Sequence, residues 1–206
     1  MILEPAAVAK MIRAGKNSGP LRVSGRLQLE EFTHSTLPLG LHCYELDARN
    51  SSLEFLPDDL QVDGRLVLDN STRLKQLPPG LSAGSISLRN CTALRELPEG
   101  INTWFLDLTG CRELARWPHT GTIHNGSLIL RNCISLRELP GWIGRLAQLD
   151  LAGCVGLHEL PDGLSVTSWV DVGGTGIMRL PPSLQGAPLR WRGVRVDERS
   201  LSIRSN

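Results

Sequence analysis

The chain of 206 residues lacks the features that mark a secreted or membrane-spanning protein. Its first residues, MILEPAAVAKMIRAG, contain no basic segment followed by an apolar run, so they do not indicate a secretory signal. No stretch approaches the roughly 20 apolar residues of a membrane-spanning helix. The formal net charge of +1 gives no general electrostatic reason to expect nucleic acid or an anionic membrane as a partner. We therefore expect a cytoplasmic protein that binds neither.

Motifs of familiar catalytic chemistry are also missing. The sequence has no GxSxG nucleophile motif, no phosphate-binding loop and no dinucleotide-binding GxGxxG after a strand. The glycine-rich segment DVGGTGIM coincides with a turn that recurs along the chain. We therefore predict that the protein is not an enzyme, with no catalytic residues and no cofactor.

What the chain does contain is a repeat. The segment LRNCTALRELPEG at 88–100 returns as LRNCISLRELPGW at 130–142. A Leu-Pro dipeptide, once replaced by Trp-Pro, recurs at gaps of 19 to 22 residues. Its first residues are Leu37, Leu56, Leu77, Leu97, Trp117, Leu139, Leu160 and Leu180. A repeat of this length is typical of a solenoid, in which each unit buries its apolar side only against its neighbours.

Each copy follows the pattern L-x-L-x-(N/G)-(C/S)-x-x-L-x-x-L-P-x-x-L. The first two leucines, such as Leu106 and Leu108, are two residues apart and predict a short strand with one face in the core. The next recurring position of the repeat holds Asn or Gly in every copy except the first, which has Glu31. Asn and Gly tolerate positive φ, so we predict a tight turn there. The predicted strand centres are Leu27, Leu46, Leu66, Ile86, Leu106, Leu128, Leu149, Val170 and Leu189.

These residues resemble the leucine-rich repeat family, in its short bacterial Leu-Pro type with Cys or Ser at the usual Asn position. The resemblance covers roughly 27–189. It implies a repeat solenoid with a single layer, in which a parallel β-sheet forms one face and extended or 3-10 segments form the other. The family is mostly used for binding proteins, so the resemblance implies a protein partner.

The ends of the array need caps, because a terminal repeat has a neighbour on one side only. We predict an N-terminal helical cap in 1–26, a solenoid of about eight to nine turns in 27–189, and a C-terminal cap or tail in 190–206. The segment from Pro5 to Ala14 fits a short amphipathic helix with Val8, Met11 and Ile12 apolar and Gly15 as its stop. The segment LRWRGVRVDERSLSI alternates apolar and polar residues and is compatible with a capping strand pair.

Four of the five cysteines recur at one position of the repeat, namely Cys91, Cys111, Cys133 and Cys154, whereas Cys43 opens a strand. One interpretation is a metal or disulfide ladder; the other is a column of small buried thiols. Ser51, Ser71 and Thr175 occupy the same position in other copies, and no CxxC or histidine has ligand spacing. The sequence therefore favours reduced, buried thiols and no metal site.

The histidines share no helical face and no zinc-protease spacing. His119 and His124 fall in WPHTGTIHNG, which belongs to the longest repeat. We predict that its two extra residues bulge on the outer side of the solenoid and that both histidines lie in a solvent-facing loop.

The outward face of the predicted sheet carries the candidate partner-binding residues. Strand alternation places Trp169 and Phe105 on this face, where large aromatic side chains are typical of interfaces. Asp150 and Asp171 are predicted to lie side by side, about 5 Å apart at the backbone, with both carboxylates open to a partner's Arg or Lys. The full predicted site is Phe105, Asp107, Ile129, Arg131, Asp150, Trp169 and Asp171.

Several alternatives remain open at this point. The face is also compatible with a solvated surface of weak ion pairs, such as Asp107 between Arg89 and Arg131, and with a Trp169 covered by the neighbouring cap. We expect a protein-interaction module that binds on the exposed face. A fragment of a larger bacterial effector, translocated from its source cell, or of a multidomain repeat protein is the first alternative. A hydrolase using Asp150 and Asp171 as a carboxylate pair is a remote one.

Overall fold

The computed structural model describes residues 3–16, 19–197 and 204–205. Within these residues the chain forms a solenoid of stacked parallel strands, about eight turns long, with one short α-helix. The helix is α1 (Pro5–Arg13), and a single 3-10 turn covers Pro182–Leu184. The strands are β1 (Leu21–Gln28), β2 (Leu41–Asp47), β3 (Gln61–Val67), β4 (Ser85–Ser87), β5 (Ile101–Asp107), β6 (Gly121–Ile129), β7 (Arg145–Asp150), β8 (Ser165–Asp171), β9 (Arg179–Leu180), β10 (Leu189–Trp191), β11 (Val194–Val196) and β12 (Arg204–Ser205).

One ten-stranded sheet contains β1 to β8 in sequence order, followed by β10 and β11. The nine predicted strand centres pair in one line across it, from Leu27 beside Leu46 to Val170 beside Leu189. The predicted register is therefore confirmed at every repeat. A second, two-stranded sheet pairs β9 with β12.

The core is a continuous column of repeat leucines. In one turn, Leu106, Leu108 and Leu114 are fully buried, and the Leu-Pro leucine Leu97 of the preceding turn is almost so. Equivalent side chains of adjacent repeats contact one another along the stack. Burying each leucine contributes about 1.5–3 kcal/mol, so the repeated positions supply most of the apolar stabilisation.

The predicted turn position has positive φ throughout the array. Asn90 and Asn132 have φ of 57° and 58°, which confirms the prediction. Asn90 Nδ2 donates to Asn70 Oδ1 at 2.8 Å, so the turn side chains also bond from repeat to repeat. A Cβ on Gly110 would lie 2.2 Å from Asn90 Oδ1, so a side chain at this position would require the Asn90 side chain to move.

The cysteine column satisfies backbone carbonyls. The Cys91 thiol donates to the Leu68 carbonyl at 3.2 Å, and the Cys111 thiol donates to the Leu88 carbonyl at 3.0 Å. In an earlier repeat the Ser71 hydroxyl donates to the Ala48 carbonyl in the same way. All five cysteines are free and buried, which confirms the predicted burial of the column. The pKa of the Cys111 thiol is raised to about 12, and burial is the main cause.

The proline of each Leu-Pro begins a turn on the far side of the solenoid. The Pro78 carbonyl accepts the Leu81 N–H at 3.2 Å, and Gly80 between them has φ of 68°. Positive φ at the third residue is the geometry of a type II turn, which explains the recurrent Pro-x-Gly. The chain then returns to the sheet for the next strand.

The two ends are closed differently. In α1, Val8 and Ile12 are buried, but Met11 is 37% exposed, so its predicted place on the apolar face is wrong. Gly15 follows the helix with φ of 63°, as a stop residue requires. At the other end β10 and β11 form an antiparallel hairpin, which confirms the predicted strand pair for that part of the segment.

The boundaries predicted after residues 26 and 189 fall within β1 and β10, which belong to the same sheet as the repeats. Residues 198–203 and 206 of the predicted C-terminal cap or tail, and residues 1–2 and 17–18 of the predicted N-terminal cap, lie outside the described residues. In the described part of the chain, no helix is long and apolar enough to cross a membrane.

The extra residues of the longest repeat lie within strand β6 and not in an outer loop. Thr103 pairs with Ile123 and Phe105 with Ser127, so Trp104 of β5 faces the three residues 124–126 of β6. The predicted outer bulge is therefore wrong. His124 is a half-buried strand residue, whereas His119 is exposed and precedes the strand.

Candidate functional site

The candidate surface is the outward side of the sheet, which we call the sheet face. Asp107, Ile129, Asp150 and Asp171 occupy consecutive strands in one row, as predicted. Trp169 lies in the adjacent row, beside Gln148. The structure therefore brings these five predicted residues, together with Phe105, into two neighbouring rows.

The other two predicted residues lie towards the edges of this group. Phe105 shares the row of Trp169 but stands three strands away, at about 14 Å. Arg131 follows β6 and is exposed, with its side chain directed to Asp150. Phe105, Ile129 and Trp169 are each half-buried and leave part of an apolar side chain in contact with solvent.

Asp171 is closed to any partner. Its side chain is 0% exposed. Oδ1 accepts the N–H of Gly173 and the N–H of Arg192, each at 2.9 Å, and Oδ2 accepts the N–H of Gly193. Arg192 and Gly193 form the turn between β10 and β11, so Asp171 anchors the C-terminal hairpin.

Asp150 is enclosed in a similar way. Its Oδ1 accepts the Ala152 N–H at 3.1 Å and its Oδ2 accepts Arg131 Nε at 2.5 Å. The expectation that Asp150 and Asp171 both stand open on the face is therefore wrong. Burial raises the pKa of Asp150, and the hydrogen bonds from Arg131 and Ala152 only partly oppose it.

Aspartate recurs at the end of the strand for a structural reason. Asp47, Asp107, Asp150 and Asp171 each accept the backbone N–H of the residue two positions later. A short carboxylate is suited to this local bond, which holds the chain as it leaves the strand for the turn. The adjacent like charges of Asp150 and Asp171 are tolerated because Asp150 pairs with Arg131 and Asp171 accepts three backbone N–H groups.

The predicted ion pairs are rearranged. Asp107 lies 3.9 Å from Arg89 but does not pair with Arg131, which binds Asp150 instead. At the N-terminal end Asp47 is held between Arg26 and Arg49. Burial alone would raise the pKa of Asp47, but the hydrogen bonds from the two guanidinium groups outweigh it and lower that pKa.

Trp169 is held by the C-terminal hairpin. The guanidinium carbon of Arg190 lies 4.3 Å from the centroid of the indole ring. This cation–π contact covers one side of the ring and fixes its orientation. The neighbouring cap therefore supports Trp169 without burying it completely.

Sequence reasoning missed four more exposed aromatic residues, of which Trp104 and Tyr44 are the most exposed. Trp104 is 59% exposed and stacks on His124 with ring centroids 4.8 Å apart, and Tyr44 is 57% exposed. Both stand where neighbouring strands differ in length by one or two residues, so strict alternation does not place them. Their separation of three repeat periods, from 44 to 104, was the available signal.

Metal and acid–base chemistry find little support in the described residues. No group of three or more His, Cys, Asp or Glu side chains among them is arranged to hold a metal ion. The buried carboxylates of Asp150 and Asp171 already accept donors from the chain itself, so they offer no open oxygen to a glycosidic bond.

Comparison with known proteins does not assign this chain to a family. No protein-family model, no curated protein and no solved structure matches the chain significantly. The repeat period and the observed register of the strands therefore carry the description of the fold.

Proposed function

We propose that this chain is a leucine-rich repeat protein with a single-layer solenoid and that it acts as a protein-interaction module. The leucines of the strand, the Asn or Gly of the turn and the Cys or Ser after it recur in phase, as in the short Leu-Pro type of that family. A partner protein binds on the sheet face.

The observation that carries this proposal is the half-exposed apolar set on the face. Phe105, Ile129 and Trp169 each present apolar surface beside charged groups. Interfaces are enriched in aromatic side chains, which bury large areas at low entropic cost, and in arginine, whose guanidinium group donates several hydrogen bonds. Arg131, exposed at the edge of the same surface, adds the polar rim that interfaces share.

The support beneath the apolar set is rigid. Asp150 and Asp171 tie the strand ends to backbone N–H groups, and Arg190 fixes the ring of Trp169. A surface that is already ordered loses little conformational freedom on binding, which favours affinity.

Site-specific photo-crosslinking tests the location of the site. A photoreactive residue in place of Gln148, in the centre of the face, is compared with one in place of Arg112, which is exposed beyond the turn. We expect partner crosslinks from the first position and none from the second when the cell lysate of the source is irradiated. The same partner captured from both positions, or from Arg112 alone, would place the site elsewhere.

A further inference from the structure

Two exposed aromatic residues stand on either side of a pair of glycines in the sheet. Tyr44 of β2 lies beside Gly64 of β3, because the next residues along both strands are paired. Gly84 directly precedes β4 and lies between Gly64 and Trp104 of β5 for the same reason. Tyr44 is 57% exposed and Trp104 is 59% exposed. Neighbouring strands lie about 4.8 Å apart, so the two aromatic residues are separated by about 14 Å at the backbone. We call the space between them, over the two glycines, the aromatic cleft.

The two rings leave the middle of the aromatic cleft open. The Tyr44 ring covers Gly64, since a Cβ there would lie 2.9 Å from its Cζ. The Trp104 indole stacks on His124 of β6, with ring centroids 4.8 Å apart. Because β4 and β6 flank β5 on opposite sides, the other face of the indole is turned to Gly84. A Cβ on Gly84 would lie 2.9 Å from the Gly64 carbonyl oxygen, so glycine keeps this floor free of side chains.

Exposed polar side chains line the aromatic cleft beside the rings. Ser82 pairs with Asn102 in an isolated bridge, and Gln61 of β3 lines the same cavity. The Asn102 Oδ1 lies 2.5 Å from His124 Nε2, so the amide is held next to the indole stack. The cavity has a volume of about 430 Å³, which falls within the range of small-molecule sites. The aromatic cleft therefore combines an apolar ring with hydroxyl and amide groups.

The charges around the aromatic cleft are balanced. The Asp63 carboxylate bonds to His42 Nε2 at 2.8 Å. In the next row of the sheet, Glu45 lies beside Arg65 of the neighbouring strand. Among the described residues that line the cavity, Asp63 is the one carboxylate, and neither lysine nor arginine is present. A neutral ligand therefore fits the aromatic cleft better than an ion of either sign.

We propose that the aromatic cleft binds a neutral carbohydrate, with one sugar ring stacked on the Trp104 indole. A pyranose ring presents C–H groups on its face and hydroxyl groups around its rim. The C–H face packs on the indole, and the hydroxyls exchange hydrogen bonds with Gln61, Ser82 and Asn102. This site is separate from the one proposed for a partner protein, since Trp104 and Trp169 lie three strands apart.

Other ligands that pack on aromatic rings fit the aromatic cleft less well. A single-stranded nucleic acid needs basic groups along its phosphates, and the described lining side chains include neither lysine nor arginine. A quaternary ammonium ion is attracted to aromatic rings by its charge, but the nearby Asp63 carboxylate is already bonded to His42. A sugar needs no compensating charge and uses both the ring and the polar side chains.

Affinity electrophoresis of the full chain tests this proposal. Native gels are cast with a neutral polysaccharide, namely soluble starch, galactomannan, xylan or hydroxyethyl cellulose, and control gels are cast with heparin or with no polymer. We expect at least one neutral polymer to retard the wild-type chain relative to the gel without polymer, and heparin to leave its mobility unchanged. Retardation by none of the neutral polymers, or by heparin alone, would overturn the proposal.

Matched variants locate the sugar site. Trp104→Ala removes the stacking ring, Trp104→Phe keeps an aromatic face, and Trp191→Ala removes an exposed indole outside the aromatic cleft. In calorimetric titrations with an oligosaccharide of the retarding polymer, we expect Trp104→Ala to bind at least about tenfold more weakly, equivalent to about 1.4 kcal/mol. Trp104→Phe should bind more tightly than Trp104→Ala, and Trp191→Ala should bind like wild type. Equal affinities for wild type and Trp104→Ala, or equal losses in Trp104→Ala and Trp191→Ala, would overturn the proposal.

A variant that fills the aromatic cleft separates loss of the site from loss of the fold. Ser82 is exposed in the cavity, and Ser82→Arg places a long side chain there while both rings remain. We expect this variant to lose oligosaccharide binding with an unchanged unfolding midpoint. Binding as tight as that of wild type would overturn the proposal.

Competition identifies the class of ligand. We expect the monosaccharide of the retarding polymer to displace the oligosaccharide, and tetramethylammonium at the same concentration to leave it bound. Displacement by tetramethylammonium but not by the monosaccharide would overturn the proposal in favour of a cation site. Loss of the captured partner protein in Trp104→Ala, with no polymer bound by wild type, would overturn it by assigning the aromatic cleft to the protein interface.

Discussion

The guanidinium group of Arg190 stacks over the indole ring of Trp169, with 4.3 Å between the guanidinium carbon and the ring centroid. The two residues belong to adjacent strands, β10 and β8, whose pairing joins the terminal hairpin to the array of repeats. The aromatic residue of the face and the charge next to it are therefore held together by the same capping element. Disturbing the hairpin is expected to disturb the face.

Asp171 gives the most direct test of that coupling. Replacing Asp171 with Ala leaves the N–H groups of Gly173, Arg192 and Gly193 without their acceptor. We expect a loss of roughly 2–4 kcal/mol in the free energy of unfolding, measured by urea denaturation, because buried donors are left unsatisfied. Asp63→Ala is the control, since this carboxylate is exposed and its side chain bonds to His42 at the surface. Equal midpoints for the two variants would contradict the anchoring role.

The thiols should react slowly in the folded protein. We expect few fast sites in a native titration with a thiol reagent and five after unfolding. Raising the pH to 9.0, where an ordinary thiol is half ionised, should accelerate the native reaction of Cys43 and Cys111 little, because burial raises the pKa of each of these thiols to about 12. A disulfide between neighbouring turns, or stoichiometric zinc, would contradict this account.

The turn at Asn90 should discriminate between side chains by their tolerance of positive φ. We expect Asn90→Gly to be near neutral and Asn90→Val to cost about 1–3 kcal/mol, since a β-branched residue is strained at φ of 57°. Denaturant midpoints measure both. A valine variant as stable as wild type would mean that the turn has another conformation.

The stability contributed by Asp47 should depend on pH. Its folded-state pKa is lowered from 3.8, so its contribution is complete above about pH 4 and is lost as the pH falls through the lower folded value. We expect the difference in stability between wild type and Asp47→Asn to be largest near pH 7 and to shrink towards pH 3. A difference that is constant over this range would show that the charge of Asp47 is not what stabilises the fold.

Much of the fold was predictable because the repeat encodes it many times. A period near 20 residues and two leucines two apart were enough to align Leu27 with Leu46, and so on to Leu189, because each strand repeats the pairing of the last. The turn residues were equally visible, since Asn or Gly, which tolerate positive φ, hold this position in every copy but the first, where Glu31 has a φ of 57°. Because the pattern recurs in every repeat, a deviation in one copy does not obscure it.

The candidate site was less predictable because it depends on the exceptions. Alternation placed Asp171 on the correct side of its strand, but its burial depends on a hairpin turn 21 residues later that donates to it. Likewise, the bulge at 124–126 of β6 moves Trp104 out of the simple two-residue pattern. Contacts between a strand and a non-repeating element leave no periodic trace in the sequence.

Binding of the captured partner by the Trp169→Ala variant tests the central claim most directly. The side chain is half-buried and lies outside the leucine column, so truncation should cost much less in folding stability than in binding. We expect a titration of purified partner to show a loss of at least about 2 kcal/mol in binding free energy, with His119→Ala and Glu99→Ala on the far side unchanged. Equal affinities for wild type and Trp169→Ala, with both proteins folded, would contradict the account.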